Sequence, residues 1–102
     1  MTREYYTPEQ FLDKMDAMFR YIYMDYEDEQ SMKLWIFFDS VKIDTDFEYK
    51  ILVLSQASNR AGASMSIRYN KKLEICVEAE ENYATIIIRP DTGGEYIFKG
   101  VV

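Results

Sequence analysis

The chain has 102 residues, 48% hydrophobic and 16% aromatic, with a formal net charge of −6. That length reads as one domain, burying roughly 65% of its unfolded surface in a core that needs no covalent staples. The composition excludes a disordered acidic tail, and the absence of histidine excludes Ser-His-Asp and Cys-His nucleophiles and histidine metal sites.

The first element is marked by its cap. Thr7 suits the N-cap, Pro8 the first helical position, and Gln10 completes a capping box. Tyr6 and Phe11 occupy the two positions of a hydrophobic staple. Phe11, Leu12, Met15, Met18, Phe19, Ile22 and Tyr26 then recur at three- and four-residue steps. The spacing predicts an amphipathic helix over residues 8–24, roughly 25 Å long at 1.5 Å per residue.

After it the period changes from 3.6 to 2. Strands are expected at 32–38, 47–54, 64–69, 72–79, 83–89 and 96–101. Asn70-Lys71 reads as a two-residue hairpin turn, and Pro90 to Gly94 as another turn. The predicted fold is α+β: one N-terminal helix packed on an antiparallel meander sheet of five or six strands. One helix covers only one face of such a sheet. Yet residues 32–38, 51–54 and 84–88 are apolar on both faces. Either the sheet curls into a partial barrel around the helix, or its second face meets another subunit in a homo-oligomer such as a dimer.

Charge is sorted along the chain. Residues 22–48 net −6 and residues 49–72 net +5, the latter without a single acid. The acidic segment contains Tyr23, Asp25, Tyr26, Glu27, Asp28 and Glu29, with Asp44, Asp46 and Glu48 further on. In a helix reaching Met24, the first four acids follow a C-terminus whose dipole disfavours them by roughly 0.3–1 kcal/mol each. Carboxylates imitate phosphate charge, and tyrosine adds flat contact area at low entropic cost. These nine residues are the expected docking surface for a basic protein, such as a nucleic-acid-binding enzyme or a toxin. The alternative surface is basic: Arg60, Arg68, Lys71 and Lys72, with Tyr69 placed to stack a base. Overall acidity disfavours that nucleic-acid reading.

Other chemistries find no support in the residues. No serine has lysine three positions on, and the four glycines form no phosphate loop. Asp44-Thr45-Asp46-Phe47-Glu48 resembles the start of a calcium loop, but Tyr49 and Ser55 stand where that loop needs glycine and glutamate. The expectation is a protein without enzymatic activity, metal or cofactor. Cys76 is the only cysteine, so no internal disulfide can form, and its apolar strand neighbours suit an inert thiol. There is no apolar run of signal or membrane-spanning length, and the expected location is the cytoplasm of a bacterium or infected host cell. In size and charge alone the chain is similar to small acidic inhibitors from phages and mobile elements, including anti-restriction, anti-CRISPR and toxin immunity proteins. That similarity transfers no residue-level role.

Overall fold

The computed structural model describes residues 2–27, 33–57 and 63–102, with residues 25–27 and 33–35 described by backbone alone. A short strand comes first, β1 (Thr2–Tyr6). Thr7 then caps α1 (Pro8–Met18). The Gln10 N–H donates to Thr7 Oγ1 at 3.2 Å, and the Thr7 N–H donates to Gln10 Oε1 at 3.0 Å. The reciprocal pair satisfies two donors that a helix start would otherwise leave open.

The helix ends sooner than its apolar spacing predicts. Phe19 turns extended at φ −102° and ψ 131°, while its N–H still donates to the Met15 carbonyl. Tyr21 then opens β2 (Tyr21–Glu27), not another helical turn. Ile22 fits either period, since it follows Met15 and Phe19 on a helix and alternates with Tyr21 and Tyr23 on a strand. Sheet pairing decides between them: β2 lies between β3 (Lys33–Phe38) and β9 (Tyr96–Val101), with Ile22 opposite both Phe38 and Gly100. Pairing on both sides offers backbone hydrogen bonds and burial that two more exposed helical turns lack.

The remaining strands are β4 (Ser40–Asp46), β5 (Tyr49–Ser55), β6 (Ser64–Tyr69), β7 (Leu73–Ala79) and β8 (Tyr83–Pro90). They form two antiparallel sheets, not one meander: six strands in the order β1-β7-β8-β9-β2-β3, and three in the order β4-β5-β6. The single meander does not hold, and the sheet is not closed into a barrel. The chain changes sheets twice, at Asp39 and at residues 70–72. Asn70-Lys71 is therefore a corner between sheets and not a hairpin turn. Asp91 holds that corner, its carboxylate accepting from the N–H groups of Asn70, Lys71 and Lys72 at 2.8, 2.7 and 3.0 Å.

One core joins all three layers. The six-stranded sheet contributes Ile22, Phe38, Ile75, Ile86, Ile88 and Phe98, the three-stranded sheet Leu52, Leu54 and Ile67, and the helix Phe11 and Met15. The helix packs against β7 on one side and β4 on the other. Helix and small sheet together thus bury one face of the large sheet. Phe19 lies over the Gly100 backbone, where a Cβ would stand 2.5 Å from its ring. Glycine at 100 is what lets the ring descend onto the strand.

Candidate functional site

The acidic residues expected to act together divide between the sheets. Tyr23, Asp25, Tyr26 and Glu27 belong to β2, which is internal to the large sheet. Asp44 and Asp46 belong to β4, and Glu48 to the turn that follows it. Asp28 and Glu29 lie outside the described residues. No helix C-terminus directly precedes these acids, because α1 stops at Met18 and Asp25 and Glu27 lie within β2.

The β4–β5 hairpin carries the sharper geometry. Asp46 pairs with Tyr49, so Phe47 and Glu48 are a two-residue turn. Phe47 was expected to start the strand at 47–54. Instead it is fully exposed at the tip, with φ +53°. It is the only non-glycine residue with positive φ among those described. A φ sign change at the first turn position alone matches a type II′ hairpin, where glycine is usual. A bulky L-residue there is strained by roughly 1–2 kcal/mol. Asp46 and Glu48 flank Phe47 in the chain; Asp46 is bridged to Arg68 at 3.6 Å, Asp44 on the same strand to Lys42 at 3.3 Å, and Glu48 has no ion pair among the described residues.

The basic residues also separate. Arg68 faces away from the core, beside Asp46 and 5.2 Å above the Tyr49 ring. Tyr69 points the other way and is 2% exposed, so it is not available to stack a base as the sequence suggested. Arg60 lies outside the described residues. Lys71 and Lys72 are exposed at the corner that Asp91 holds. They line a groove of about 660 Å³ together with Lys50 and Tyr69, under the start of α1. Lys50 and Tyr69 are direct cross-strand partners, which brings the third lysine to the site.

A further surface escaped the sequence reading in its details. The outward face of the large sheet exposes Tyr5, Tyr21, Phe37, Tyr83 and Ile97. Register puts them on one face: Tyr83 and Tyr21 both oppose Val101, Ile97 opposes Ile87, and Tyr5 and Ile87 oppose Cys76. Tyr23 and Phe37 pack ring to ring at 5.9 Å, and Lys99 Nζ lies 5.5 Å from the Tyr83 ring centre. A hydrogen bond from Tyr83 to Glu80 pushes the Tyr83 hydroxyl pKa up. Cys76 is buried within this face.

Phe47 and Lys50 carried no local signal. Phe47 replaces the glycine that would have announced the turn, and Lys50 reaches the groove only through register. No protein-family model, curated protein or solved structure matches the chain.

Proposed function

We propose that the protein is a non-enzymatic binding protein that docks on a basic partner protein through the β4–β5 hairpin tip. The observation that carries this reading is Phe47, fully exposed with positive φ and flanked in the chain by Asp46 and Glu48, with Asp44 earlier on the same strand. Strained backbone that presents an aromatic ring to solvent costs stability without any gain in the fold, and such residues cluster at functional positions. In this reading Phe47 is the anchor that fills a pocket on the partner. The carboxylates form a polar rim that selects a positive surface and speeds encounter. The net charge of −6 extends the same attraction beyond the contact. A basic nucleic-acid-handling enzyme or toxin, inhibited by occupation of its anion-binding surface, fits that chemistry.

The test reverses Asp44 and Glu48 to lysine and compares capture by the immobilised variant and wild type from the lysate of the native host. A basic protein held by the wild type and released by the reversal, with circular dichroism unchanged, supports the proposal. Equal capture rejects it. Reversing Asp25 and Glu27 in a parallel variant reads whether β2 contributes.

The exposed outer face of the large sheet favours a second reading, self-association through Tyr21, Phe37, Tyr83 and Ile97. Contiguous apolar patches of this kind mark interaction surfaces on soluble proteins. Sedimentation across a concentration series discriminates, since a monomer at all concentrations removes it.

A further inference from the structure

The groove beneath the start of α1 combines features that the docking tip does not use. Its lysines come from two places, Lys50 from β5 and Lys71 and Lys72 from the corner clamped by Asp91. None of the three forms an ion pair among the described residues. Of the carboxylates at the groove, Glu74 shares Arg89 with Glu95, at 3.7 and 2.8 Å, Asp91 accepts from the corner backbone, and Glu9 faces the lysines from the helix. Three lysines without a salt-bridge partner among the described residues therefore converge on one groove of a molecule that is negative overall.

A second and independent observation concerns Tyr69, which lines the same groove at 2% exposure. Its hydroxyl is buried with no hydrogen-bond partner among the described residues. A buried hydroxyl without a partner is costly and rare in a folded chain. Burial raises its pKa and the Glu9 carboxylate raises it further, so it stands as a protonated donor on the side of the groove that Glu9 lines. The helix N-terminus itself adds little, because the capping box already occupies the Thr7 and Gln10 N–H groups.

We infer that this groove binds a nucleoside monophosphate, with the phosphate among Lys50, Lys71 and Lys72, the Tyr69 hydroxyl donating to the ligand, and the base against Tyr6. A phosphate monoester carries about −1.5 to −2 charges at neutral pH, which matches the unpaired positive charge. The groove falls within the roughly 300–1,000 Å³ typical of small-ligand sites. Tyr6 donates its hydroxyl to Glu4, which fixes its ring beside the groove. A longer nucleic acid is disfavoured, since each added phosphate meets a molecule of net charge −6 while only one meets the lysines.

The experiment is a titration of the isotope-labelled protein with AMP and UMP at low salt, read by amide chemical shifts. Inorganic phosphate and a ten-residue oligothymidine serve as comparison ligands. The expected result is saturable shifts at residues 5–9, 50 and 69–72, with the mononucleotides tighter than phosphate or the oligonucleotide. Tyr69→Phe keeps the buried ring and weakens binding several-fold. The combination of Lys50→Gln, Lys71→Gln and Lys72→Gln weakens it roughly tenfold or more. Glu9→Gln removes the opposing charge and tightens it. No shift at the groove, phosphate binding as tightly as AMP, tighter binding of the oligonucleotide, or unchanged affinity in the lysine variant would each overturn the inference.

Discussion

Arg68 and Asp46 meet across the three-stranded sheet at 3.6 Å, and so join the most basic segment of the chain to the most acidic one. Their charges are separated along the sequence and interleaved in space. Each reads at first as half of a large patch of one sign. On the outer face of the small sheet they neutralise each other instead. Among the described residues of the two segments, Glu48 beside Phe47 at the hairpin tip and the three lysines in the groove form no ion pair.

The pair itself contributes little to stability. Its side chains are 58% and 44% exposed, so solvent screens their attraction. A double-mutant cycle with Arg68→Ala and Asp46→Ala is expected to give a coupling of about 0.2–1 kcal/mol, read from denaturant unfolding.

Phe47→Gly should stabilise the protein. Glycine accepts positive φ without the clash of a Cβ, and loses part of that gain through its freer unfolded chain. The expected balance is a gain of about 0.5–1 kcal/mol, seen as a raised thermal midpoint. A fall in the midpoint would mean that the ring makes contacts that hold the hairpin.

Gly100→Ala should have the opposite sign. Its Cβ would stand 2.5 and 2.8 Å from Phe19 ring atoms and 3.3 Å from Ile86 Cδ1. Phe19 is buried in the packed core, against which a shift of its ring would press. Overpacking of this kind costs about 1–3 kcal/mol. Thermal unfolding should show a fall of roughly 4–8 °C per kcal/mol for a domain of this size.

Asp91 ties the corner at residues 70–72 to pH. Hydrogen bonds from the Asn70, Lys71 and Lys72 backbones hold its pKa below the ordinary value of 3.8. Its contribution is therefore full above the unfolded value and is lost as pH falls through the lowered folded one. Asp91→Asn should lower the thermal midpoint at neutral pH. The gap from wild type should close as the buffer is taken below pH 3.8. A gap that stays constant to low pH would assign the loss to geometry and not to charge.

The local parts of the fold were legible and the non-local parts were not. Thr7, Pro8 and Gln10 announce α1 because a capping box is complete within four residues. Alternation places β6 to β9, whose inward residues, such as Ile75, Ile86 and Phe98, are apolar. β1 escaped because it is an exposed edge strand with little apolar alternation. β4 escaped because only Val41 and Ile43 face inward, between polar neighbours. β2 was concealed by Ile22, which satisfies both periods. The division into two sheets depends on register between distant segments, and that also decides the candidate sites. Arg68 and Tyr69 are adjacent in the chain but lie on opposite faces, while Lys50 joins Tyr69 from another strand.

The docking proposal stands or falls on Phe47. The most direct measurement is the dissociation constant of the captured basic partner for wild type and Phe47→Gly, by surface plasmon resonance, with thermal midpoints taken on the same samples. Loss of an aromatic anchor typically costs 2 kcal/mol or more, so binding should weaken by roughly thirtyfold while the midpoint holds or rises. An unchanged dissociation constant in a folded Phe47→Gly variant would contradict the account.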